Sequence, residues 1–201
     1  MTTAPQPPDS KPRRLTFVTT NAGKVAELDA LLRPHAIEVV QDARGYPEIQ
    51  AATLEEVTEF GADQLTADGL VPPFILEDSG LFVDTLGGFP GVYSRHALDT
   101  LGVAGILRLL GEGHRDRTAW FLTDLLLVEA PGRRHHFGGG CRGTIVQAPA
   151  GDEGFGFDPI FVPDGHSRTF AQMTRAQKSA LSHRGQAVRS LLAHLIETAK
   201  P

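Results

Sequence analysis

Apolar residues along the chain fall into short β-branched runs and helical stripes that alternate. LTFVTT (15–20) is compact and apolar and predicts a buried strand. It passes through Asn21 and Gly23 into VAELDALL, where Val25, Leu28 and Leu32 recur at helical spacing. Ile37–Val40 predicts the next strand, so the chain opens strand, turn, helix, strand, as α/β proteins do. Thr53 followed three residues later by Glu56 is a capping-box pattern; it opens a helix with Leu54, Val57, Gly61 and Leu65 on one face. Phe74–Leu76 predicts a strand that delivers two adjacent carboxylates, Glu77 and Asp78, with a Ser79-Gly80 turn before apolar residues resume. Val103–Leu110 reads as a short helix, and WFLTDLLLV with HHFGGGCRGTIV, joined by Pro131-Gly132, as a long β-hairpin. Val188, Leu191, Leu192, Leu195 and Ile196 form one stripe of a C-terminal helix.

Composition narrows the class. At 201 residues and 41% hydrophobic the chain can bury one substantial core, and no repeat or linker divides it. A single domain over 14–201 is expected, after a proline-rich tail (1–13) that is expected to be disordered and that lacks the apolar segment of a secretory signal. The formal charge of −5 argues against coating nucleic acid or a membrane surface, although a few focused Lys and Arg can still hold a phosphate chain. No apolar stretch approaches the ~20 residues of a membrane span. The lone cysteine, Cys141, cannot form an internal disulfide or a cysteine metal cluster, which fits a reducing compartment, the cytoplasm.

Several short motifs carry candidate chemistry. TTNAGK (19–24) joins the first strand to the first helix, where free helix N–H groups, the helix dipole and Lys24 suit a phosphate; Val25 after the lysine rules out a Walker A loop. GGGCRG (138–143) matches a dinucleotide fingerprint only formally, because a strand rather than a helix follows; glycines there fit a bulge or a close approach of other backbone. His135 and His136 are neighbours on a strand, point to opposite faces and cannot easily share one ion, so a solvated hairpin is expected. GFGFDP (154–159) sets two aromatic rings and an acid in a glycine-rich loop, suited to packing against something flat. Lys178, Ser182, His183 and Arg184 gather near a helix start that Ser182 would cap.

TTNAGK, YPEIQ, LEEVTEFGA, EDSGLFV, LGGFPGVYS, GFGFDPIF, TFAQM and KSALSHR occur in this order. Together they resemble the inosine triphosphate pyrophosphatase family, the Ham1-type non-standard purine NTP pyrophosphatases, over roughly residues 14–198. The YPEIQ and LEEVTEFGA forms resemble the archaeal branch. Many bacterial members carry a lysine in that helix at the position of Gly61 here, and Gln172 stands where the family usually has Glu.

The resemblance implies an elongated, two-lobed α/β fold around a long, mixed, twisted sheet flanked by helices, and commonly a homodimer. It implies hydrolysis of ITP, dITP and XTP to the monophosphate and pyrophosphate with Mg²⁺. Carried over by motif, Thr19, Thr20, Asn21 and Lys24 bind phosphate, with Ser79 alongside. Glu48, Glu77 and Asp78 attend the metal, and Asp78 activates the attacking water. Phe155, Gly156, Phe157 and Asp158 form the base-binding loop, and Lys178, His183 and Arg184 recognise the purine. Arg184 and a protonated or suitably oriented His183 would donate to the O6 acceptor that hypoxanthine and xanthine present where adenine has an amino group. Two other readings remain open at this point: a pyrophosphatase for other modified nucleotides, and a nucleotide-binding regulator without turnover.

Overall fold

The computed structural model describes residues 13–111, 113 and 116–198. The expected tail lies outside these residues except for Arg13, which already belongs to the first strand. Six strands form one mixed sheet in the order β2-β1-β3-β4-β5-β6. β1 (Arg13–Val18) pairs in parallel with β2 (Ile37–Asp42) and with β3 (Phe74–Val83). β4 (Thr118–Ala130), β5 (Arg133–Ile145) and the short β6 (Phe161–Pro163) continue antiparallel. The sheet is α/β and mixed, as expected.

β3 differs from expectation in a way that shapes the site. It does not stop at Asp78: Ser79 and Gly80 stay in the ladder opposite Thr123 and Leu122 of β4, so the expected turn is a strand. Strand alternation then sends the adjacent acids apart. Ile75, on the Glu77 side, packs with Leu28 and Leu32 of α1 (Ala22–Leu32) and Leu191 of α6 (His183–Glu197). Phe74 and Leu76, on the Asp78 side, pack with Ala62 and Leu65 of α2 (Leu54–Ala67). A third cluster, built on Leu81, Phe121, Ile145, Phe161 and Phe170, fills the far half of the sheet under α3 (Ser94–Thr100) and α4 (Gly102–Leu110).

Local chemistry accounts for these elements. Thr53 Oγ1 accepts from the Glu56 amide at 3.2 Å while Glu56 Oε2 accepts from the Thr53 amide at 3.1 Å, closing the capping box of α2. The β4–β5 hairpin is tied by Pro131-Gly132, with Gly132 in the left-handed region at φ 72°. A Cβ on Gly139 of β5 would collide with the His183 carbonyl, so the glycine lets the start of α6 lie directly on the strand. Lys178 is not at that helix start: it belongs to a separate helix, α5 (Arg175–Leu181), capped by Thr174, and Ser182 ends α5 while capping α6. On α6, Val188, Leu191 and Leu195 are buried, whereas Ile196 of the expected stripe is exposed.

Candidate active site

A cleft of about 680 Å³ opens where the α1 start, the middle of β3, the 155–158 loop and the α5–α6 junction converge. All the residues to which the resemblance gave a role line it. Their partners, however, are not all those the motifs suggested.

The loop before α1 is held by Asn21. Its Oδ1 accepts from the amides of Gly23 (2.9 Å) and Lys24 (3.3 Å), and Thr19 Oγ1 accepts from the Asn21 amide at 3.1 Å. Two of the helix's free donors are thereby capped from within, so the helix start offers less to a phosphate than its sequence suggests. Lys24 supplies the positive charge instead. Its Nζ lies 2.7 Å from Glu77 Oε2 and 3.0 Å from the Glu77 carbonyl, with the side chain still partly open to the cleft.

Glu77 is fully enclosed by protein partners. Its Oε1 accepts from Thr123 Oγ1 and from Arg184 Nε (3.2 Å) and Nη2 (3.0 Å). Burial alone would raise its pKa, but Arg184 and Lys24 outweigh that and hold the carboxyl well below the usual carboxylate range. The Lys24 contact to Oε2 is a charge contact rather than an aligned hydrogen bond. Glu77, expected to attend a metal, pairs here with two protein cations.

Glu27 was not singled out from the sequence, yet it completes this arrangement. It lies on the buried side of α1 and binds Lys178 Nζ at 2.8 Å and Arg184 Nη1 at 2.6 Å. The two cations hold its carboxyl low against the opposing effect of burial. Lys178 also binds Asp158 Oδ2 at 2.6 Å, and the same oxygen accepts from the Phe155 amide at 2.9 Å, fixing the 155–158 loop. Arg184, 1% exposed, reaches Ser79 Oγ as well at 3.0 Å. Within the protein Nε, one Nη1 hydrogen and both Nη2 hydrogens of Arg184 are engaged, which leaves one N–H of the guanidinium for any further acceptor. The signal in the sequence was a carboxylate beside Leu28 on an apolar stripe: a buried charge requires partners.

His183 stacks on Phe121, ring centroids 4.9 Å apart at 12°, and its Nδ1 is buried without a partner. Burial and the neighbouring Arg184 and Lys178 hold its pKa well below the ordinary value, which favours the neutral, suitably oriented ring of the two forms expected. Phe155 lies with its ring 4.5 Å from Lys178 Nζ and 5.4 Å from the Arg184 guanidinium carbon.

Asp78 stands apart from this cation-rich face. Burial, opposed by Lys24 and reinforced by the charges of Glu77 and Glu48, pushes its carboxyl up to about 7; the Ser79 amide donates to it at 2.9 Å. Glu48 is exposed on the loop after β2. Tyr46 donates to the Glu77 carbonyl at 3.3 Å, and its ring occupies the space a Cβ on Gly61 would enter. A lysine side chain at position 61 would have to displace that ring.

Comparisons with known proteins bear on the family and the fold. A family model described as the Ham1 family matches residues 15–194. The chain is 49% identical over 187 residues to a dITP/XTP pyrophosphatase of Thermococcus kodakarensis, covering 93% of this chain and all of that one. It is 47% identical over 178 residues to one of Pyrococcus horikoshii, covering 88% of this chain and 94% of the relative. The solved structure of a HAM1 protein from Coxiella burnetii superposes with a TM-score of 0.79 at 31% identity, covering 92% of this chain and 99% of that one. The fold, the cleft and these matches lead to one conclusion: the chain belongs to the Ham1 family.

Proposed function

We propose that the protein hydrolyses the non-canonical purine nucleoside triphosphates ITP, dITP and XTP to monophosphate and pyrophosphate, and so clears them from the nucleotide pool. The observation that carries this reading is the convergence in one cleft of the Asp78 carboxyl, the Lys24 ammonium and the 155–158 loop, with burial pushing the Asp78 carboxyl up. A general base works best with a pKa near the operating pH. The relatives named dITP/XTP pyrophosphatases supply the substrate class.

In this reading Lys24 binds the phosphate chain, and Asp78 takes the proton from a water aimed at the α-phosphorus. Pyrophosphate leaves, with Lys24 offsetting part of its growing charge. The buried Glu27–Lys178–Arg184–Glu77 network does not touch the reacting atoms; it holds His183, Ser79 and the 155–158 loop in place. The base lies against Phe155, and the neutral His183 ring donates to O6 in one tautomer. An adenine amino group facing that donor is left unpaired, at a cost of about 1–3 kcal/mol.

The residues fit Mg²⁺, which favours carboxylate oxygens shared with substrate phosphates. Glu48, Glu77 and Asp78 are the donors such an ion would use, since their mutual repulsion is one a cation relieves and Glu77 Oε2 accepts no hydrogen bond within the protein. When bound, the ion neutralises phosphate charge and assists departure of pyrophosphate. We further propose a single domain in two lobes, a homodimer, and a cytoplasmic location; among the described residues no helix is long and apolar enough to cross a membrane.

The test is a product analysis of purified protein with common and deaminated nucleoside triphosphates and MgCl2. Pyrophosphate and monophosphate from ITP, dITP and XTP, with little from ATP or GTP, is the expected result. Diphosphate and orthophosphate as first products would overturn attack at the α-phosphorus.

A further inference from the structure

Far from the cleft, three side chains from three elements meet near the turn of the hairpin: Glu129 near the end of β4, His135 near the start of β5, and His194 on the last turns of α6. Each offers one ligand atom, and these atoms lie within 4.8 Å of one another. His135 Nε2 is 3.2 Å and His194 Nε2 is 3.9 Å from the same oxygen, Glu129 Oε2, and the two imidazole rings tilt at 43° with centroids 4.3 Å apart. His194 Nε2 is buried and has no hydrogen-bond partner. An orphaned buried nitrogen is rare in folded proteins and points to a missing ligand. His194 follows His183 on α6 by eleven residues, so it sits about 16 Å along the helix from the cleft.

We propose that Glu129, His135 and His194 form a site for a divalent transition ion of the Zn²⁺ class. Two imidazoles and one carboxylate are the donors such ions prefer, and Mg²⁺ is disfavoured by the nitrogen ligands. Tetrahedral Zn²⁺ with ligands at about 2.0–2.1 Å places its ligand atoms about 3.4 Å apart. The 3.2 Å and 3.9 Å separations bracket that spacing, so small side-chain movements suffice. Arg133 Nε now contacts Glu129 Oε2 at 2.9 Å, but its side chain is 62% exposed and can swing into solvent. A water completes the fourth position. The ion would tie the end of α6 to the β4–β5 hairpin and so stabilise the fold rather than take part in the reaction.

The untagged full chain, stripped of metal with EDTA and desalted, is titrated with Co²⁺ and with Zn²⁺. Wild type is expected to show with Co²⁺ the intense visible absorption of a low-coordinate nitrogen site, distinct from the weak bands of Co²⁺ on cleft carboxylates, and micromolar Zn²⁺ is expected to raise Tm. Both signals should be lost in His194→Gln and in His135→Gln, while Asp78→Asn, which alters the cleft acids, keeps them. Absence of the Co²⁺ band in wild type, or equal Co²⁺ spectra in wild type and His194→Gln, would overturn the proposal. The second histidine variant decides the matter should His194→Gln fold poorly.

Discussion

Asp78 is placed where its ionisation opposes folding. In the unfolded chain it titrates near 3.8, and in the fold at about 7, so at pH 8 the native state carries a charge its surroundings disfavour. Asp78→Asn should therefore raise Tm at pH 8 in EDTA while lowering kcat on ITP by about 10²–10⁴-fold, the range for a lost general base. Thermal melts and initial rates on the same preparation check both signs; a variant with near-native kcat would remove Asp78 from that role. Arg184 belongs to a different class of residue. Because it bridges Glu27 and Glu77 within the protein, Arg184→Ala leaves two buried carboxylates short of a cation, at a cost of about 3–5 kcal/mol. We expect a large drop in Tm and a similar loss of kcat/KM for ITP and ATP. If the ITP value alone collapsed while Tm held, the guanidinium would be reading the base directly.

Among the elements, α6 makes the site by its position on β5. Gly139 permits the contact with the His183 carbonyl, so a methyl group there must push the helix start outward. Overpacking of this kind costs about 1–3 kcal/mol. Gly139→Ala should lower both Tm and kcat/KM, since the displaced turn carries His183 and Arg184; Gly138→Ala, where a Cβ meets nothing closer than 4.0 Å, should lower them much less. Comparing the two variants by calorimetry and by rate separates helix displacement from a general strand effect. The same logic of close approach explains Gly61, over which Tyr46 packs.

Across the whole molecule, opposed titrations shape stability against pH. His183 is held below 6.5 in the fold, so as pH falls through 6.5 the unfolded chain takes up a proton that the native state refuses, and stability drops. Asp78 acts the other way: below about 7 the native state binds its proton first, and stability rises until the unfolded value near 3.8 is reached. Glu27 and Glu77, held low in the fold, favour it above 4.5 and withdraw that support as pH falls further. His136, Asp124 and Asp158, also raised in the fold, act in the same direction as Asp78. Relative to wild type in EDTA, Asp78→Asn should therefore gain less, or lose more, in urea midpoint as pH falls from 7 to 5. Identical profiles in the two proteins would contradict a raised Asp78 carboxyl in the fold.

The chain's local patterns were enough for much of this. Period-two and helical stripes placed β1, α1, β2, α2 and the hairpin to within a few residues, because each element buries one face and its spacing records which. The ordered motifs named the residues around the cleft, because the groups that line it lie in short, contiguous loops and helix starts. What the sequence could not decide was partnership. Whether Ser79-Gly80 turns or stays in strand depends on Thr123 and Leu122, more than forty residues away in β4. Whether Arg184 faces a base or a carboxylate depends on Glu27, brought from α1 by packing against α6. His135 and His136 do point to opposite faces, as neighbours on a strand must, with His136 held by Asp124 and Glu59. That local rule left out the partner of His135 that only folding supplies, His194, from the far end of the last helix. Periodicity is a property of neighbouring residues; charge pairing and ligand geometry are set by distances in space, which only the assembled sheet and helices determine.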